Sequence, residues 1–116
     1  MSRLTTHVLD TASGIPACGI RVSVYSVSKN QRSLIKDVTT NADGRCDAPL
    51  LEGALFKAGT YELVFYVGDY FSKKSTNASP AFLDEIPVRF SVTDAAAHYH
   101  VPLLVSPWAY STYRGS

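Results

Sequence analysis

The feature of this sequence that most restricts its fold is a series of short segments in which apolar and polar residues alternate. In one of them, Ile20, Val22 and Val24 alternate with Arg21 and Ser23. Because successive side chains of a β-strand point to opposite faces, such a segment has one buried face and one solvated face. Turn residues separate these segments at regular intervals, which is the pattern of an antiparallel sandwich or barrel. The sequence therefore predicts a mainly β protein.

The alternating and β-rich segments predict about eight strands. Seven of these strands can be given bounds, at Leu4–Asp10, Ile20–Val27, Ser33–Thr40, Gly59–Val67, Pro87–Thr93, His98–Val105 and Tyr110–Arg114. After Asp69 the alternation disappears, and Asp69–Lys74 is predicted as one short helix with Asp69 as its N-cap. Gly68 and Asp69 are expected to end the preceding strand, and Ser75–Pro80 is expected to form a polar loop.

Length and charge limit the kinds of partner that this chain can have. Its 116 residues, 46% of them hydrophobic, suit a single domain over residues 1–116 with a substantial core. The 11 basic and 10 acidic residues give a net charge of +1 and are spread along the chain. Such a balance provides no electrostatic surface for nucleic acid or for an anionic membrane. We therefore expect the partner to be a small molecule or another subunit.

The cysteines and the two ends of the sequence indicate a compartment. Cys18 and Cys46 are too few and too dispersed for a disulfide framework, and they form no CxxC pair. The first residues contain no apolar h-region, and no run of about 18 apolar residues could span a membrane. The sequence does not end in Ser-Lys-Leu, the peroxisomal address. These features predict a soluble cytoplasmic protein.

The histidines are the strongest candidates for chemistry. On a strand, His98 and His100 share one face, while Tyr99 and Val101 share the other. Histidine is the side chain best suited to proton transfer near neutral pH. The plain alternative is that both are surface histidines without a chemical role.

The third histidine, His7, lies on the first predicted strand, and spacing alone does not show that the two histidine-bearing strands meet. If they do meet, His7, His98 and His100 could bind zinc with an open water position, as three-histidine hydrolytic sites do. A zinc site is therefore a rival chemical interpretation.

Arg45 and the C-terminal segment are the other candidates. Arg45 follows the turn at residues 42–44, and its guanidinium could hold a polarised carbonyl or stabilise an oxyanion. An arginine after a turn is more commonly a solvated surface residue. Residues 110–116 are polar and aromatic, and they form either a frayed tail or a segment that closes a pocket.

Four blocks of the sequence resemble the signature motifs of the 5-hydroxyisourate hydrolases, also called transthyretin-like or transthyretin-related proteins. The blocks are Leu4-Thr-Thr-His-Val-Leu-Asp10, Gly44-Arg45, His98-Tyr-His-Val-Pro-Leu-Leu-Val-Ser-Pro107 and Tyr113-Arg-Gly-Ser116, and they occur in the family's order. The resemblance implies a transthyretin-like β-sandwich of two four-stranded antiparallel sheets with one short helix. It also implies a homotetramer, a dimer of dimers, with active sites at the dimer–dimer interface.

The same resemblance implies a reaction and a set of residues. Members of this family open the six-membered ring of 5-hydroxyisourate with water to give 2-oxo-4-hydroxy-4-carboxy-5-ureidoimidazoline, a step of urate degradation that uses no cofactor and no metal. The implied catalytic residues are His7, Arg45 and His100, and either histidine could be the base. The implied substrate-binding residues are His98, Tyr113, Arg114, Gly115 and Ser116.

The fold alone does not decide the function, because transthyretin, a carrier of a hydrophobic hormone, shares it. A carrier is expected to lack the set His7, Arg45 and His100 and to end in a different tail, whereas this sequence contains all of them. We therefore expect a hydrolase. A small-ligand carrier and a zinc-dependent hydrolase that uses the three histidines are the alternatives.

Overall fold

A computed structural model describes residues 2–74 and 81–115, which form nine strands, one 3₁₀ turn and one α-helix. The 3₁₀ turn covers Gly53–Leu55, and the helix, α1, covers Val67–Lys74. The strands are β1 (Arg3–Asp10), β2 (Ile15–Pro16), β3 (Arg21–Ser28), β4 (Gln31–Thr39), β5 (Leu51–Glu52), β6 (Gly59–Tyr66), β7 (Glu85–Val92), β8 (His98–Val105) and β9 (Tyr110–Thr112). The strands missed by the sequence, β2 and β5, have two residues each, which is too short for an alternating pattern.

The strands form two sheets. The first has the order β2-β1-β8-β9, with β5 also paired to β1, and the second has the order β4-β3-β6-β7. Every pairing is antiparallel except that of β1 with β8, which is parallel. The predicted transthyretin-like sandwich with one short helix is confirmed. It differs in detail from the expectation, because one pair is parallel and the short β5 joins the first sheet.

The parallel pair joins the N-terminal and C-terminal parts of the chain. Its register places Thr5 opposite His100 and His7 opposite Pro102. Side chains at paired positions of neighbouring strands lie on the same face of a sheet. The histidine-bearing strands, whose meeting the sequence left open, therefore contribute to one common surface.

The core lies between the two sheets, so this common surface faces outward. On β1, Leu4 and Val8 are fully buried, whereas Thr5 and His7 are only partly buried. The apolar faces of β1, β3, β6 and β8 contribute side chains that are fully removed from water, each worth roughly 1.5–3 kcal/mol. These side chains are Leu4, Val8, Val22, Val24, Leu63, Phe65, Leu103 and Val105.

The hairpin between β3 and β4 is tighter than the sequence indicated. The predicted strands end at Val27 and begin again at Ser33, but in the structure only two residues, Lys29 and Asn30, separate β3 from β4. Lys29 and Asn30 have φ values of 53° and 63°. Positive φ at both central residues is characteristic of a type I′ turn, whose twist matches that of the flanking strands.

Helix α1 begins two residues before the predicted start. Val67 is its first residue instead of the last residue of a strand, and Gly68–Asp69 lies inside its first turn, so Asp69 is not the N-cap. Val67, Tyr70 and Phe71 are buried at helical spacing. Their packing stabilises a helix that starts directly after β6. In residues 2–74 and 81–115, no helix is long and apolar enough to cross a membrane.

Gly68 explains how a helix can follow β6 without a connecting loop. Its N–H donates to the carbonyl of Asp84 at 2.9 Å, and a Cβ at this position would lie 3.0 Å from the Cα of Asp84. A glycine is therefore required here by a close approach to the segment before β7 and does not act as a helix breaker. The predicted loop at Ser75–Pro80 lies outside the described residues.

Asp10 at the end of β1 anchors α1 to the first sheet. Its fully buried carboxylate accepts the N–H groups of Ala12 and Ser13 at 3.0 and 2.9 Å and the hydroxyl of Tyr70 at 2.8 Å, with Lys74 Nζ at 3.5 Å. Burial alone would raise the pKa of Asp10. The hydrogen bonds and the Lys74 charge outweigh it and hold the pKa of Asp10 below its usual value. The carboxylate is therefore charged and fixes the end of the strand that carries His7.

Candidate active site

A cavity of about 400 Å³ lies on the outward face of β1 and β8. Among its lining residues are Thr5 from β1, His98 and His100 from β8, and Arg45 and Cys46 from the segment after the turn. This volume lies in the range of small-molecule sites. Three of the predicted functional residues, Arg45, His98 and His100, therefore line the same cavity.

His7 is not among the residues that line this cavity, but its backbone is paired with that of Arg45, which does line it. Its backbone forms a single antiparallel bridge with that of Arg45, and the neighbouring Val8 N–H donates to the Gly44 carbonyl at 2.8 Å. Gly44 has a φ of 73°, and a Cβ there would collide with the Val8 carbonyl oxygen. Only glycine allows the turn to approach β1 this closely. The close approach places Arg45 beside His7.

Thr5 connects the two histidines of β8. Its Oγ1 lies 2.9 Å from Nε2 of His98 and 2.8 Å from Nδ1 of His100. Thr5 is not among the functional residues predicted from the sequence. The strand pattern could have identified it, because Thr5 precedes His7 by two residues and therefore lies on the same face of the strand.

The C-terminal segment is ordered against the histidine strand. Gly115 forms a β-bridge with His100, and its N–H donates to the His100 carbonyl at 2.7 Å. A Cβ on Gly115 would lie 2.6 Å from Cδ2 of the His100 ring. The glycine therefore lets the tail pack directly on the imidazole. Ser116, also implied as a substrate contact, lies outside the described residues.

Tyr113 and Arg114 take a different position from the histidines. They line a second cavity of about 230 Å³ together with Tyr99 and Val101, which belong to the inward face of β8. The Arg114 guanidinium lies 4.1 Å from the centre of the Tyr99 ring, a cation–π contact. Within one chain, Tyr113 and Arg114 are thus not among the residues that line the histidine cavity, and their contact with substrate stays a prediction.

All three imidazoles have a lowered pKa. Burial is the main cause for each of them, and the positive charge of Arg45 contributes at both His7 and His100. At His98, the charge of Arg3 adds to the effect of burial. A hydrogen bond with the backbone of Asp43 acts in the opposite direction at His7 without reversing the shift. The histidines are therefore neutral near pH 7 and can accept a proton.

Cys46 also lines the cavity but is not prepared for nucleophilic attack. It is half-buried, and burial raises the pKa of its thiol. A thiol with a raised pKa stays protonated near neutral pH, and the thiolate is the reactive form. Cys46 therefore lines the cavity as a neutral thiol.

The zinc alternative requires His7, His98 and His100 to converge on one point. Across residues 2–74 and 81–115, no group of three or more His, Cys, Asp or Glu side chains is arranged so that it could hold a metal ion. The geometry of the three histidines therefore does not support the zinc-dependent hydrolase.

Comparison with known proteins assigns the family. The model of the HIUase/Transthyretin family matches residues 4–115. The chain is 59% identical over 117 residues to the 5-hydroxyisourate hydrolase of Ralstonia nicotianae, with 100% of both chains covered. The solved 5-hydroxyisourate hydrolase of Klebsiella pneumoniae is 33% identical, with 100% of both chains covered and a TM-score of 0.82.

A longer protein contains the same fold. The crystal structure of (S)-allantoin synthase matches 98% of this chain at 47% identity with a TM-score of 0.90, and the match spans 43% of that protein's chain. The family match covers nearly the whole sequence, and the similarity to the Ralstonia protein covers both chains completely. This chain belongs to the HIUase/Transthyretin family.

Proposed function

We propose that this chain hydrolyses 5-hydroxyisourate in the cytoplasm, opening the six-membered ring to give 2-oxo-4-hydroxy-4-carboxy-5-ureidoimidazoline in urate degradation. The observation that carries the proposal is that Arg45 and His100 line one cavity, while His7, on the same outward face, is bridged through its backbone to Arg45. The 59% sequence identity between this chain and the 5-hydroxyisourate hydrolase of Ralstonia nicotianae supports the choice of substrate. The activity is an amide hydrolysis, for which a base and an oxyanion-stabilising group are sufficient.

The base of this reaction is a neutral imidazole. Attack on a ring carbonyl requires a water molecule that loses a proton as it adds, and His7 and His100 are the candidates to take it. Burial and Arg45 lower the pKa of both imidazoles and so keep a nitrogen lone pair free near neutral pH. An imidazole protonated at that pH could not act in this way.

Arg45 is the electrostatic partner of the base. As the carbonyl becomes tetrahedral, its oxygen gains negative charge, and a guanidinium beside the cavity is suited to receive it. One such donor is worth about 3 kcal/mol in comparable sites. Because Arg45 bridges to His7 through the backbone, the charge stabiliser and a candidate base are held at a fixed separation.

The same family includes carriers, so the site residues decide between the two functions. A carrier needs an apolar surface and no group that transfers protons. The larger cavity here has a polar lining that includes Thr5, Arg45, His98 and His100. This polar surface favours the hydrolase over the carrier.

The activity can be tested with fresh 5-hydroxyisourate, made in situ by oxidising urate. We expect ultraviolet absorbance of the substrate to disappear much faster with the protein than in its spontaneous decay, because the site supplies both a base and an oxyanion donor. Heat-denatured protein is the control for buffer and trace metal effects. A decay rate equal to the spontaneous one would end the proposal.

We also propose that the chain assembles as a homotetramer, a dimer of dimers, with the active sites at the dimer–dimer interface. In the described residues, β7 and β9 each pair with a neighbour on one side only, and an open strand edge favours pairing with a second copy. Tyr113 and Arg114 face a separate cavity in one chain, so a neighbouring subunit would have to present them to the substrate. Light scattering should give about four times the mass of one chain. A monomer at all concentrations would contradict this assembly.

A further inference from the structure

The hydroxyl of Thr5 is the link between the two imidazoles of β8. The ring centres of His98 and His100 are 6.3 Å apart, and Thr5 Oγ1 lies within hydrogen-bond distance of a nitrogen of each. Thr5 lies opposite His100 in the parallel register, so the backbone of the sheet fixes the position of the hydroxyl. The contact is therefore a built feature of the strand pair.

A hydroxyl that contacts two neutral imidazoles couples their tautomers. The hydroxyl has one proton to donate, and each neutral imidazole has one N–H and one nitrogen lone pair. Thr5 therefore donates to one ring and accepts from the other. The choice of donor at one histidine determines which nitrogen is protonated at the other.

The position of the contact shows which arrangement allows catalysis. Thr5 occupies Nδ1 of His100, so only Nε2 of that ring remains for the water and the substrate. A base at Nε2 must have its lone pair there and its proton on Nδ1. The Nδ1 proton is then donated to Thr5, and Thr5 donates to Nε2 of His98, whose own proton lies on Nδ1.

We propose that Thr5 is a positioning residue that holds His98 and His100 in the Nδ1–H tautomer and thereby presents Nε2 of His100 as the base. This inference rests on the proposed function and deepens it, since it assigns the base to His100. The proton balance is complete. Nε2 of His100 takes a proton from water as the hydroxide adds to the ring carbonyl. His100 then carries the positive charge, and its Nδ1–H is still donated to Thr5.

Nuclear magnetic resonance of the ¹⁵N-labelled protein tests the tautomers directly. Long-range ¹H–¹⁵N spectra distinguish protonated from unprotonated ring nitrogens, and the chain has three histidines to assign. Near pH 7 we expect His98 and His100 of the wild-type protein to be protonated on Nδ1. In Thr5→Val, His100 should move toward the Nε2–H form, which free histidine prefers. Thr5→Ser keeps the hydroxyl and should keep the wild-type tautomers.

The kinetic counterpart uses the same variants. Thr5→Val should lower kcat about tenfold to a hundredfold with a smaller change in KM, because it misplaces a proton without removing the base. Thr5→Ser should recover most of the rate. Thr11→Val is the matched control, since its hydroxyl also donates to β8, at the Val105 carbonyl 3.1 Å away, but lies at the opposite end of the strand. It should keep the wild-type rate.

The outcomes separate this inference from the proposed function. A wild-type spectrum with His100 protonated on Nε2 overturns the role of Thr5 even in a fully active enzyme. Wild-type tautomers and kcat in Thr5→Val overturn it as well. If Thr5→Val does not fold, the role of Thr5 is tested by the tautomers in the wild-type spectrum and by the rate of Thr5→Ser, which should be close to that of the wild type. Absence of hydrolysis by the wild-type protein would refute the function, whereas the tautomers would remain measurable.

Discussion

Replacing His100 by asparagine should lower kcat by at least about a hundredfold while the protein stays folded. Asparagine is polar and of similar size, so it can still contact Thr5 and keep the surface of β8 intact. It has no group that accepts a proton near neutral pH. The loss therefore measures proton transfer, and initial rates on fresh 5-hydroxyisourate determine it.

The control for His100→Asn is a test that the variant is still folded. Its melting temperature and mass in solution should match those of the wild-type protein, because His100 lies on the outward face and not among the core residues. A wild-type kcat would show that His100 is not the base. His7→Asn in the same assay would then show whether His7 has that role.

The pH dependence gives a second measure of the base. Burial and Arg45 lower the pKa of His100 from its ordinary value of 6.5. The base acts in its neutral form, so wild-type kcat/KM should be level near pH 7 and fall only as the pH drops below 6.5, through the lowered pKa. A decline that begins above pH 7 would contradict a base with this environment.

Where alternation is long, as in β8, the sequence predicts both the strand and its buried face. His98 and His100 stand on the outward face because Tyr99 and Val101 are buried beside them. Alternation is a local property, which is why β1 and β8 could be predicted separately. Their parallel pairing joins residues more than 90 positions apart, such as Thr5 and His100. No local pattern contains that information.

The start of α1 shows a second limit of prediction from local sequence patterns. The sequence predicts that Gly68, with Asp69, ends a strand, whereas the structure places it inside α1, where glycine has a low helix propensity. In the folded chain its missing Cβ allows contact with Asp84, and the buried Val67 and Tyr70 compensate for the poor propensity. Tertiary packing thus overrides a local preference. The nearness of Arg45 to His7 depends in the same way on Gly44 packing against β1.

Replacing Arg45 by glutamine should lower kcat/KM by about a hundredfold, which corresponds to the roughly 3 kcal/mol that one oxyanion donor supplies. Glutamine keeps a polar amide of similar reach but lacks the positive charge and the fork of N–H groups. Arg21→Gln is the matched control. Arg21 lies on the other sheet and is more than half exposed. Its guanidinium pairs with Asp37 at 3.5 Å and lies over the ring of Tyr66. We expect it to have wild-type kinetics.

The pH profile of Arg45→Gln distinguishes an electrostatic role from a structural one. The positive charge of Arg45 lowers the pKa of both His7 and His100, because it disfavours a second positive charge nearby. Removing this charge should raise both pKa values, so the acid limb of kcat/KM should move to higher pH. Arg21→Gln should leave the limb in place. A slower Arg45→Gln enzyme with an unmoved acid limb would mean that the arginine does not act on the base through its charge.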